Sequence, residues 1–301
     1  MIRRAGVIGL LALGALAASC SDRPAEEASG KLRVAVSIPP QASFVERVGG
    51  EHVEALVLVP PGQSPHAYEP TPRQMASLAT ARLFFSIGVP FEKRLLEKLR
   101  AMKSLRVVEM HEGVPLRQMA PAEEDHEDGH HHAAGEPDPH CWLNPRYVKT
   151  MAANVARALK ELDPPHAADY EKNLQAFQAE LDAADARIAK ALEPLKGREM
   201  MVFHPAFGYF CDAYGLKQVV VEAEGKEPSA RQLAAFIERA KRAGAKVIFV
   251  EPQFSRRSAE AIAAAVGAEV VALDPLARDY VANLEAMAQA IRKALTPEGT
   301  R

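Results

Sequence analysis

The sequence predicts an α/β protein of two lobes, each with a four-stranded, mainly parallel sheet flanked by helices, the two joined by one long helix. Three observations predict it. Short runs rich in Val, Ile and Phe alternate with helix-forming stretches and are bounded by Pro or Gly, as buried parallel strands between crossover helices are. These runs fall into two sets of four, which gives two α/β lobes. Between the sets, His166 to Leu195 is rich in Ala, Leu, Glu, Gln and Lys, contains no Gly, and meets Pro only at its end. At 1.5 Å rise per residue such a helix is a rod of about 40 Å, long enough to run the length of a two-lobe protein. Two shorter helices meeting at a kink are the alternative.

The strand runs of the first set are Leu32–Ile38, Val53–Val59, Arg82–Ile87 and Leu105–Met110. Those of the second set are Met201–Phe203, Gln218–Glu222, Val247–Val250 and Val270–Leu273. Pro145 to Glu161 reads as a helix that stops at Asp163-Pro164-Pro165, because proline cannot continue it. The resulting organisation is an N-terminal lobe over 31–165, a connecting helix over 166–195 and a C-terminal lobe over 196–301.

Residues 1–20 read as an export signal. Arg3 and Arg4 precede an apolar stretch, Ala5 to Ala18, which is short for a membrane-spanning helix and ends in small residues. Leu16-Ala17-Ala18-Ser19-Cys20 resembles a bacterial lipobox, after which Cys20 would be cleaved and lipidated; ordinary cleavage of a soluble export signal is the alternative. One lipid anchor would hold a globular body at a membrane face without spanning it. Residues 21–30 are polar, with Pro and Gly, and read as a tether.

The chain has 301 residues with 37 Lys plus Arg against 39 Asp plus Glu, so it lacks the basic surface of a nucleic-acid-binding protein. Three cysteines are too few for a disulfide scaffold. The unusual feature is histidine, of which there are ten. Four of them, His126, His130, His131 and His132, lie in an acidic segment over 122–138 with seven carboxylates and no Lys or Arg. That composition reads either as a solvated loop or as an auxiliary collector of borderline metal ions by imidazole and carboxylate. His52, His111 and His166 stand among ordinary neighbours and read as surface or packing residues.

The remaining three have company. His66 follows the second strand run, His140 precedes a helix, and His204 directly follows the strand run Met201–Phe203. Asp274 follows Val271-Ala272-Leu273. Positions past the carboxyl ends of strands are where open α/β sheets bind ligands. The separations of 74, 64 and 70 residues form no compact metal motif, so spacing leaves open whether the four act together.

The segments PHAYEP (65–70), DPHCWLNP (138–145), HPAFGYF (204–210), EGKEPS (224–229), FVEPQFS (249–255) and ALDPL (272–276) resemble the metal-binding solute-binding proteins of ABC importers, the zinc and manganese family. They occur in the family's order over nearly all of the chain after the tether. The resemblance implies two α/β lobes joined by one long helix, with metal held between the lobes. It implies that His66 and His140 are ligands from the N-terminal lobe, that His204 is the third, and that Asp274 is the fourth. In some zinc-specific members water or a loop carboxylate takes that fourth place. It further implies an exported monomer that serves a membrane permease and its cytoplasmic ATPase. Three imidazoles and one carboxylate suit tetrahedral Zn2+, whereas Mn2+ prefers more oxygen, so zinc is the expected cargo and manganese the alternative.

An enzyme is the weaker class. Four protein ligands leave no position for an activated water, and there is no Gly-x-Ser-x-Gly or Gly-x-x-x-x-Gly-Lys pattern; the His-Glu-x-x-His string at 126–130 falls inside the acidic low-complexity segment and contains Gly129, so it does not read as the helix such a zinc motif needs. A metal-dependent surface adhesin or hydrolase is the alternative from another class. Trp142, Phe207 and Tyr209 read as core or cleft-wall residues, Glu69 and Asp138 as possible partners of ligands, and Cys141 and Cys211 as two separate buried thiols.

Overall fold

The computed structural model describes residues 30–119, 137–220, 230–254 and 256–296. Its first sheet has strands β1 (Leu32–Val36), β2 (Val53–Val57), β3 (Leu83–Ser86) and β4 (Arg106–Glu109), all parallel, in the order β2-β1-β3-β4. The second has β5 (Glu199–Val202), β6 (Lys217–Val220), β7 (Val247–Val250) and β8 (Glu269–Ala272), all parallel, in the equivalent order β6-β5-β7-β8. The expected fold class is the observed one. The first strand run ends two residues early because Pro39-Pro40 open helix α1 (Pro39–Gly49), where a fixed φ suits the first turn and the missing N–H costs nothing. The end of the Gln218–Glu222 run lies outside the described residues.

Helices α2 (Pro72–Leu78) and α3 (Glu92–Arg100) belong to the first sheet; α4 (Pro145–Leu162) follows it. Asn144 caps α4, its side chain accepting from the Arg146 N–H at 3.0 Å, and Pro145 takes the first helical position. The connecting helix α5 (Ala167–Leu192) is one continuous element of 26 residues, about 39 Å long. Short 3-10 turns at Pro164–His166 and Glu193–Leu195 extend it at each end, so no kink divides it. The second sheet carries α6 (Gly208–Tyr214), α7 (Ala230–Arg242), α8 (Arg256–Val266) and α9 (Tyr280–Leu295). Among the described residues no helix is long and apolar enough to cross a membrane.

The core shows why inner strands such as β3 and β7 read as nearly continuous apolar runs. In the second sheet Met200, Val202, Val247 and Phe249 join one hydrophobic cluster, while Met201, Phe203, Ile248 and Val250 join another. Successive side chains of a strand point to opposite faces, and here both faces are covered. The larger cluster is continuous from the first sheet through α1, α4, α5 and α9 into α6. Phe44 of α1 meets Tyr280 of α9 edge to face, with ring centroids 4.8 Å apart, so the last helix of the chain packs against the first.

Both sheets reverse strand order beside their first strand, between β1 and β3 and between β5 and β7. At such a switch point a crevice opens beyond the carboxyl ends of the strands. The first crevice is filled. Glu92 is buried there, accepting from the Gly88 N–H at 2.8 Å, from the Ile87 N–H at 3.0 Å and from the Ser37 hydroxyl. Gln41 accepts from the N–H groups of Ser37 and Ile38 at 3.0 and 3.1 Å beside it. The second crevice is edged by His204, two residues past β5, and by Glu251, the residue after β7.

Candidate metal centre

Three segments far apart in sequence meet at the second crevice. His66 sits in the connection between β2 and α2, a stretch of turns whose residues Pro60–Gln63 are exposed. Its N–H donates to Ser64 Oγ at 3.3 Å, and the Tyr68 hydroxyl two residues on donates to the Leu58 carbonyl at 2.6 Å. His140 opens a buried 3-10 turn, His140–Leu143, just before α4. His204 is held in extended backbone (φ −110°, ψ 146°) before Pro205.

One ligating atom of each of the three imidazoles lies within 4.8 Å of those of the other two. Ring centroids are 4.5 Å apart for His66 and His204, 5.3 Å for His140 and His204, and 5.8 Å for His66 and His140. A tetrahedral zinc with Zn–N of about 2.0–2.1 Å sets its nitrogens about 3.3 Å apart, so small ring movements would complete the set. The rings border a cavity of about 20 Å³, enough for one water-sized or ion-sized occupant. Trp142, Glu251, Gln253 and Phe254 share its lining.

The electrostatics favour a cation acceptor. Burial, reinforced by the neighbouring His204 and His140, lowers the pKa of His66 to about 2. His204 is held well below the usual histidine value, first by burial and then by His140, with Asp138 acting in the opposite direction. Both imidazoles are therefore neutral, as a metal ligand must be. Asp138 sets the orientation of the third. Its Oδ1 lies 2.8 Å from His140 Nδ1 and accepts from the His140 N–H at 3.0 Å. A carboxylate is an acceptor, so Nδ1 carries the proton and Nε2 is left with its lone pair.

The segment that carries His140 precedes α4 in the chain, yet it is bonded to the other half of the molecule. The Tyr209 hydroxyl donates to the Asp138 carbonyl at 2.8 Å. The Trp142 indole N–H donates to the Pro275 carbonyl at 2.8 Å, and the Tyr280 hydroxyl donates to the Trp142 carbonyl at 2.6 Å. All three bonds are buried.

Of the residues expected from sequence, His66, His140 and His204 come together. Asp274 does not join them; its Oδ1 accepts from Gln253 Nε2 at 2.8 Å and from the Leu276 N–H at 2.9 Å. The auxiliary histidines 126, 130, 131 and 132 and the lipidation candidate Cys20 lie outside the described residues. Trp142 lines the cavity, Phe207 is core, and Tyr209 ties two segments together. Asp138 is a ligand partner, whereas Glu69 is exposed and 3.7 Å from Arg94. Cys141 and Cys211 are two buried free thiols; burial pushes Cys141 far up and Cys211 up to about 12. His52 and His166 stack on each other at 3.8 Å and face Asp169 and Asp163, away from the three ligands. Glu251 and Gln253 were not anticipated. Glu251 directly follows a strand, the same positional signal that marks His204, but a search led by histidines passes over it.

Two parallel-sheet lobes around one long helix, with a cluster of three imidazoles at the switch point of one of them, define the class of metal-binding solute-binding proteins. The family model described as "Zinc-uptake complex component A periplasmic" matches residues 34–294, and the chain belongs to that family, the zinc-type solute-binding proteins of ABC importers. The chain is 31% identical over 318 residues to the high-affinity zinc uptake system protein ZnuA of Brucella abortus, with 94% of each chain covered. It is 28% identical over 299 residues to the zinc-binding lipoprotein AdcA of Streptococcus pneumoniae, covering 93% of this chain but 59% of that protein. A solved structure described as the crystal structure of ZnuA superposes with a TM-score of 0.81 at 41% identity, covering 89% of this chain and all of that one.

Proposed function

We propose that this chain captures Zn2+ outside the cytoplasm on His66, His140 and His204 and delivers it to the permease of an ABC importer. The observation that carries the reading is the convergence of three imidazoles, two of them held neutral by burial, around a cavity the size of one ion. Capture from water then needs no proton to be expelled from His66 or His204, and loss of a few water ligands is offset by three Zn–N bonds. Nitrogen donors favour zinc over manganese. Because the His140 segment is bonded to the second lobe, His66 is the ligand delivered by an exposed connection, and its withdrawal opens the site. The family's membership in ABC import supplies the partner class, a permease with its ATPase. Lipidation at Cys20 would tether the chain at the membrane face, and the histidines at 126, 130, 131 and 132 would gather zinc weakly near it.

The test uses the single tryptophan, Trp142, whose indole lies 5.2 Å from the His140 ring. Its fluorescence should respond to stoichiometric Zn2+ and far less to Mn2+, and metal analysis of the purified protein should find one zinc per chain at the buried site. A protein that ignores zinc, or a His204→Ala variant that binds it normally, would sink this reading. Cys20→Ser should move the protein from the membrane fraction to the soluble one.

A further inference from the structure

The three imidazoles leave a zinc ion one contact short of a tetrahedron, and the wall of the same cavity includes an amide side chain. Gln253 lines the cavity, and its Oε1 is buried and takes no hydrogen bond among the described residues. A buried amide oxygen without a donor is costly and uncommon. Its orientation is fixed by chemistry. Gln253 Nε2 donates to Asp274 Oδ1 at 2.8 Å, and an ionised carboxylate only accepts, so the amide nitrogen must face Asp274 and the oxygen must face away from it. Asp274 is itself pinned. Its Oδ1 also accepts from the Leu276 N–H at 2.9 Å, and its carbonyl accepts from Asn283 Nδ2 at 2.8 Å.

We propose that Gln253 Oε1 is the fourth contact of the captured zinc ion, and that Asp274 is not a ligand but the positioning residue that turns Gln253 toward it. The proposal rests on the zinc reading above and names the group that completes its site. An amide oxygen is a neutral, hard donor, weaker for zinc than a carboxylate. Glu251 lines the same cavity, but its carboxylate does not join the three imidazoles within 4.8 Å, so the shell of three imidazoles and one amide holds the ion less firmly than one with a direct carboxylate. That suits a carrier that must give up its cargo. It also gives Asp274 a reason to follow β8 at the site's edge without entering the cluster.

The experiment compares zinc affinity by competition with a chromophoric chelator, and the visible spectrum of the Co2+ form, in the wild type and three variants. Gln253→Leu should weaken zinc about tenfold and change the cobalt bands, since an oxygen leaves the metal. Gln253→Glu should tighten zinc and slow its release. Asp274→Asn should weaken zinc, but by less than Gln253→Leu does, because the asparagine Oδ1 still accepts from Gln253 and from Leu276 while the charge that fixes the Gln253 amide is lost. Loss of affinity in Asp274→Asn as large as in His204→Ala would overturn the proposal, making Asp274 the ligand. So would a Gln253→Leu protein with wild-type affinity and cobalt spectrum. If Asp274→Asn does not fold, the two Gln253 variants decide. A wild type that binds no zinc is a separate result and sinks the underlying reading as well.

Discussion

The two lobes have the same strand order and the same parallel topology, and each therefore has a switch-point crevice, but only the second gathers a cluster of imidazoles that could hold a metal ion, among the described residues. In the first lobe Glu92 and Gln41 fill the crevice and take up the N–H groups of Ser37, Ile38, Ile87 and Gly88. In the second lobe His204 and Glu251, just past the strand ends, edge the crevice, and a cavity of about 20 Å³ lies against them. Topology supplies two candidate sites; side chains decide which becomes a structural plug and which a metal centre. The buried carboxyl of the first lobe is satisfied by backbone donors, whereas the imidazoles of the second leave lone pairs turned inward.

The sharpest way to break this contrast is to empty each crevice in turn. His204→Ala should lower zinc affinity on the order of 100-fold or more with a small change in stability, measured by chelator competition and thermal melting. Glu92→Ala should do the opposite. It strands buried N–H groups and the Ser37 hydroxyl, so it should cost about 3 kcal/mol of unfolding free energy while zinc affinity stays within about threefold. Equal effects of both variants on zinc binding would mean that the first crevice is part of the site.

The two crevices should also respond oppositely to pH. Burial raises the pKa of Glu92 to about 7, so its contribution to stability is present below about 4.5 and is lost as pH rises through 7. His66 and His204 have lowered values, so the unfolded chain binds their protons first. Their contribution is full above about 6.5 and falls as pH drops below it. Removing the Glu92 titration with Glu92→Gln should make stability rise more steeply between pH 5 and 7 than in the wild type, as read by denaturant titration at several pH values. Zinc affinity should change little from pH 7.5 to 5.5, because burial already keeps His66 and His204 neutral across that range, as read by chelator competition. A large fall in affinity at pH 5.5 would show that these imidazoles are exposed to protons before zinc arrives, contrary to the buried geometry.

Smaller effects test the bonding of the His140 segment to the second lobe. Tyr209→Phe removes a hydroxyl that accepts from the Arg117 N–H at 2.9 Å and donates to the Asp138 carbonyl at 2.8 Å. It should cost about 1–3 kcal/mol of stability, with a lesser loss of zinc affinity. Gly208→Ala is the mildest. Its new Cβ would meet the Arg117 guanidinium at 1.9 Å and force it away from Asp212 and Asp138, so the change should cost about 1 kcal/mol.

Much of this molecule was legible before its coordinates. Runs such as Leu83–Phe85 and Val247–Val250, apolar at every position, announce strands buried on both faces, and alternation with helix formers announces parallel sheets. Asn144-Pro145 marks a helix start, and the stretch around Ala167–Leu192 marks one long helix. These features are local, because they depend on the backbone geometry of a few consecutive residues. The three ligand histidines could be nominated from their strand-end positions, but their convergence depends on chain segments more than 60 residues apart.

What only the tertiary structure decided is which groups share space. Asp274 occupies a strand-end position like that of His204, yet its carboxylate is committed to Gln253 and Leu276. Trp142 and Asp138 lie early in the chain, yet they are bonded to Pro275, Tyr280 and Tyr209 of the second lobe. Hydrogen bonds and burial depend on distance in space, and only packing of the whole chain sets that distance. The sequence determined the elements and named the imidazoles; the folded chain determined that one crevice is plugged by a carboxyl and the other is left with room for an ion.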